Sequence, residues 1–70
     1  MPLLFEQQPN ETAKAFAAFK LYLELGPERS LVAVGKQLEK GLTVIERWSR
    51  KFNWPARVQA HNAHLAMVEL

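Results

Sequence analysis

Apolar residues recur at three- and four-residue steps along nearly all of this 70-residue chain, and no stretch alternates apolar with polar residues long enough to make a convincing strand. That spacing commits the chain to helices. Three punctuation points divide it. Gly26-Pro27 ends a first helix, because glycine tolerates a left-handed C-terminal turn and proline cannot continue the hydrogen-bond ladder. Glu39-Lys40-Gly41 reads as a tight turn. At Asn53-Trp54-Pro55, the proline disfavours helical geometry at Trp54 yet suits the first turn of a new helix.

The spacing predicts four helices behind a short, loose leader over residues 1–9, whose Leu3, Leu4 and Phe5 either dock on the core or stay free. Helix one is expected to start at an Asn10 N-cap, with Glu11 in its positive first turn and a stripe of Ala13, Phe16, Phe19 (or Lys20) and Leu23. Ser30 caps a short second helix in which Leu31, Val34, Gly35 and Leu38 share a face. Thr43, three residues before Glu46, has capping-box spacing and is expected to cap helix three. Val58, His61, Leu65 and Val68 continue the period through a fourth helix from about residue 55. The fold class expected is all-α: a small three- to four-helix bundle forming one domain over residues 10–70.

Size excludes much chemistry. A chain of 8.0 kDa has no room for a substrate cleft between two lobes, and with no cysteine it has no disulfide, thiolate metal site or cysteine nucleophile. His61 and His64 lie three apart, but with no aspartate in the chain and only Glu69 nearby a third metal ligand is missing. Neither a nucleophile with its base nor a glycine-rich phosphate loop is present, so neither catalysis, a cofactor nor a metal is expected. No apolar run approaches the roughly 18–20 residues of a membrane span. Met1-Pro2-Leu3-Leu4-Phe5-Glu6 lacks the basic and apolar regions of a signal peptide, and a soluble cytoplasmic domain with no membrane partner is expected.

The stretch Leu31 to Trp48 has the grammar of a helix-turn-helix, which places the bundle among homeodomain-like arrangements. Two short helices crossing around a tight turn need a very small residue where they touch. Gly35 sits there; ten residues on, Ile45 points back into the contact, and Trp48 seals it. Trp48 and Ile45 are thus the expected inward anchors, and Trp54 a core or boundary residue. A 100° rotation per residue then turns Leu42, Thr43, Glu46, Arg47 and Arg50 outward, with Lys51 on the flank.

Charge is concentrated on the same segment. Residues 36–57 hold six cations against two carboxylates, while the segments on either side are each net −1. In a helix-turn-helix the second helix enters the DNA major groove. Leu42, Thr43, Glu46, Arg47 and Arg50 are the candidate base readers. Arg47 suits a bidentate contact to guanine, Thr43 a phosphate or a thymine methyl, and Glu46 either cytosine N4 or a supporting contact to Arg47. Lys36, Lys40, Lys51 and Arg57 are candidate phosphate contacts. Double-stranded DNA is the expected partner.

Ala13-Lys14-Ala15-Phe16, Gly26-Pro27-Glu28-Arg29-Ser30-Leu31, Leu42-Thr43-Val44-Ile45-Glu46-Arg47-Trp48-Ser49 and Asn53-Trp54 with Arg57 together resemble the N-terminal helix-turn-helix region of phage terminase small subunits and related prophage proteins. The similarity spans roughly residues 6–65. It implies recognition of viral DNA for packaging, through the helix holding Glu46, Arg47 and Arg50. A regulatory role for the same fold stays open. Glu39 stands where that family usually has glycine in the turn, and Gly41 is the expected source of backbone freedom. The family's downstream oligomerisation region has no counterpart in these residues. The alternative class is a protein–protein adaptor, in which the C-terminal helix, with Trp54, Val58, His61, Leu65 and Val68 close to a heptad seam, builds a homo-oligomer.

Overall fold

A computed structural model describes residues 3–68. Met1 and Pro2 of the leader, and Glu69 and Leu70 of the C-terminal segment, lie outside the described residues. The chain is all-helical, with α1 over Ala13–Glu24, a 3-10 turn over Gly26–Glu28, α2 over Leu31–Leu38, α3 over Leu42–Lys51 and α4 over Trp54–Val68. Among the described residues there is no strand.

The first helix starts later than Asn10. Thr12 is its N-cap, and the Thr12 hydroxyl accepts from the Ala15 amide at 3.1 Å. Glu11 therefore precedes the helix, and its carboxylate turns inward instead of facing the helix dipole. The buried face is Ala15, Ala18 and Phe19; Ala13 is exposed, and Phe16 and Leu23 lie at the margin. Two alanines on the inner face let neighbouring side chains approach the α1 backbone closely, which the larger residues of the expected stripe would prevent. At its far end, the Arg29 guanidinium folds back and donates to the Tyr22 and Leu23 carbonyls at 3.2 and 3.4 Å, satisfying orphan acceptors at the helix C-terminus.

Ser30 caps α2 as expected, accepting from the Ala33 amide at 3.0 Å. Val34 and Gly35 are buried against Ile45 in the angle between α2 and α3. The close approach at Gly35 is tighter than a helix–helix contact alone: an added Cβ would stand 2.9 Å from the Lys40 carbonyl oxygen and 3.6 Å from Ile45 Cγ1. The Lys40 amide also donates to the Gly35 carbonyl at 2.9 Å, so the turn is folded back onto that one residue. Glu39 itself takes the left-handed conformation, with φ 56°, whereas Gly41 has φ −66° and supplies no such freedom. Gly41 instead serves as the N-cap of α3, its carbonyl accepting from Val44 and Ile45. Thr43 is thus inside the first turn and caps nothing, correcting the capping-box reading; its side chain is exposed.

Gly35→Ala is expected to destabilise the fold. Alanine's better helix propensity returns about 1 kcal/mol, but displacing a backbone carbonyl by overpacking costs about 1–3 kcal/mol. The thermal midpoint should fall by a few degrees, measured by circular dichroism; a rise would mean the turn relaxes freely.

The largest fully buried side chain is Trp54, not Trp48, which is half-buried. Trp54 opens α4 and packs its ring 5.8 Å from Phe19 and 5.1 Å from Tyr22, tying α4 to α1. Asn53, with φ 53°, supplies the sharp turn from α3 into α4. Past His61 the fourth helix leaves the core: Leu65, Met67 and Val68 are all exposed.

The leader is docked. Phe5 packs on the core with its ring 5.5 Å from His61 and 5.0 Å from His64. The pair of histidines thereby flanks an aromatic ring. Gln8 closes the leader on itself, its side-chain amide donating to the carbonyls of Leu3 and Glu6 at 2.9 and 2.8 Å. No helix among the described residues is long and apolar enough to cross a membrane.

Candidate nucleic-acid interface

The α2–turn–α3 unit has the strongest amphipathic division in the chain. With Ile45 fully buried and Trp48 and Ser49 half-buried, the other side of α3 is left to solvent. Leu42, Thr43, Glu46, Arg47 and Arg50 are all exposed there, together with Lys51 at the end of the helix. Lys36 in the last turn of α2 and Lys40 in the turn are exposed as well. Eight of the nine residues expected at the site therefore reach solvent.

Arg57 is the exception. It is 2% exposed, and its guanidinium holds Glu11 bidentately at 2.8 and 2.9 Å. It also donates to the Leu4 carbonyl and, at 3.0 Å, to that of Glu6, and it lies 4.0 Å from the centre of the Phe19 ring. A phosphate could reach it only by displacing a desolvated carboxylate, so Arg57 is a structural residue and not a backbone contact. This ion pair and its carbonyl bonds are what fasten the leader to α4. The signal was present in the sequence: three residues after a buried tryptophan, a helical side chain falls on the same inward face. Glu11 gave no comparable signal, because its partner lies 46 positions away.

Removing Arg57 leaves five cations, Lys36, Lys40, Arg47, Arg50 and Lys51, against Glu39 and Glu46 on this unit, a local net of +3. Among the described residues, Arg57–Glu11 is the one ion pair within 4.0 Å. Among the described residues the five surface cations consequently have no carboxylate partner. Glu46 is equally free, although Arg47 is its neighbour and Arg50 lies one turn on. Of the five cations, Lys51 has its ammonium 5.4 Å from the centre of the Phe52 ring.

Two exposed apolar residues border the same unit. Leu42 is 43% exposed at the start of α3 and Val32 49% exposed on α2. Val32 falls off the Leu31, Val34, Leu38 face and so points outward by helical period alone. A surface mixing cations, two carboxylates, a hydroxyl and apolar carbon can offer charge to phosphates and varied chemistry to base edges.

No family model, curated protein or solved structure matches this chain.

Proposed function

We propose that this chain binds double-stranded DNA, with α2 and α3 acting as a helix-turn-helix and α3 lying in the major groove. The observation that carries the proposal is the set of five exposed cations on one two-helix unit, none held by a carboxylate among the described residues. Unpaired cations on a small-residue crossing are what a polyanion requires: they replace the counterions condensed on its phosphates, which pass to solvent, without internal ion pairs first being broken. Arg47 and Arg50, with Leu42, Thr43 and Glu46, supply the base contacts; Lys36, Lys40 and Lys51 supply the backbone contacts. The resemblance to phage terminase small subunits makes viral or prophage DNA the target proposed, for packaging or regulation. The protein is read as a binding module and not an enzyme.

A second reading has its own observation. The C-terminal half of α4 carries Leu65, Met67 and Val68 at 41%, 75% and 66% exposure, and apolar side chains left in water favour a protein contact, as in a homo-oligomer or adaptor.

Fluorescence anisotropy of a labelled mixed-sequence duplex, titrated at two ionic strengths, separates the two. With three to five phosphates neutralised, doubling the salt should weaken binding about six- to twenty-fold. Binding indifferent to salt, with light scattering on the same samples giving a concentration-dependent mass, would replace the DNA reading with the adaptor.

A further inference from the structure

On a surface built to meet phosphates, a carboxylate is out of place unless something in the ligand wants it. Glu46 is exposed on α3 between Thr43 and Arg50, with no cation among the described residues within ion-pair distance. Its carboxylate is therefore not spent on orienting Arg47 or Arg50, which is the structural role its position allows. Nor does it cap the helix, since Gly41 is the N-cap, no side chain caps α3, and the Val44 and Ile45 amides donate to the Gly41 carbonyl. An unengaged anion brought up to a duplex is repelled by every phosphate it passes. In the major groove only the exocyclic amino groups attract it, and of these cytosine N4 stands alone, whereas adenine pairs its amino group with the N7 acceptor that repels a carboxylate.

We propose that Glu46 is a specificity-determining residue that selects cytosine at one position of the DNA site and rejects the other bases there. The inference rests on the DNA-binding reading and deepens it. Glu46 accepts a hydrogen bond from cytosine N4; the neighbouring Arg47 reads guanine. The carboxylate lowers affinity for duplexes in general and keeps it for the correct site, so specificity is obtained by repulsion as well as attraction.

The test is selection from a random duplex pool on the 70-residue protein at low salt, followed by sequencing, with wild type, Glu46→Gln and Glu46→Ala in parallel. Wild type should enrich cytosine at one position by roughly five- to 150-fold over the other bases. Glu46→Gln should move that position to adenine, whose amino group and N7 fit an amide bidentately. Glu46→Ala should abolish the preference there, leave the other positions unchanged and raise affinity for random duplex. Because Glu46 is exposed, both variants should melt with wild type. Identical preferences in all three proteins, or wild-type binding without any base preference, would overturn the role of Glu46 while leaving DNA binding intact. Failure of wild type to retain any duplex would overturn the DNA reading itself.

Discussion

Arg57→Met is expected to cost this domain a large part of its stability, with no need of DNA to reveal it. The substitution leaves the Glu11 carboxylate buried without its counter-ion and frees the Leu4 and Glu6 carbonyls that the guanidinium now holds. Removing one partner of a buried ion pair costs about 3–5 kcal/mol. A chain of this length has only about 4–10 kcal/mol to lose. The thermal midpoint should fall by roughly 12–40 °C, followed by circular dichroism.

Glu11→Leu combined with Arg57→Met should be more stable than Arg57→Met alone, because the stranded charge is gone. It should remain less stable than wild type, since Arg57 also closes the leader through backbone carbonyls. Arg57→Lys cannot reproduce the bidentate fork and should fall between the two. An unchanged midpoint for Arg57→Met, with a loss of one unit in the salt slope of duplex binding, would restore the phosphate-contact reading and dismiss the structural one.

The contrast between Arg57 and the five surface cations marks where a sequence stops informing. Helical period, Ser30 as a cap, the stop at Gly26-Pro27 and the tight Gly35–Ile45 contact are local or nearly so, and all are legible because they depend on residues within about ten positions. The start of α1 is not legible in the same way, because two caps compete within three residues. Asn10 and Thr12 are both good caps, and Thr12 takes the position while Glu11, just before it, is held by Arg57 46 positions away. Intrinsic preference places the left-handed turn residue at Gly41. In the structure the Lys40 amide must reach the Gly35 carbonyl, which puts the reversal at Glu39 whatever its side chain prefers. Trp54 outranks Trp48 in the core for a topological reason. It lies where α4 turns back across Phe19 and Tyr22, and helical periodicity within one segment contains nothing about that crossing. On α3 the exposed face followed directly once Ile45 was set inward, because there the rotation per residue is the whole calculation.

Arg47→Ala with Arg50→Ala should separate binding from folding as cleanly as Arg57→Met joins folding to its buried pair. Both arginines are exposed and neither holds a carboxylate, so the double variant should melt within a few degrees of wild type. If both read base edges, each contact is worth about 1–3 kcal/mol, and duplex affinity should fall about thirty-fold or more. The charge-preserving pair Arg47→Lys and Arg50→Lys decides how those contacts work. A lysine still neutralises a phosphate but lacks the planar fork that spans guanine O6 and N7. Base reading therefore predicts that the lysine variant keeps the salt slope and much of its grip on random duplex while losing discrimination at guanine positions. Contact with phosphates alone predicts the reverse: the lysine variant behaves as wild type, and the alanine variant weakens on every sequence equally, its slope reduced by about two. Undiminished binding by the alanine pair would remove α3 from the interface altogether. The cations of α2 and the turn would then be left as a patch without a reading helix.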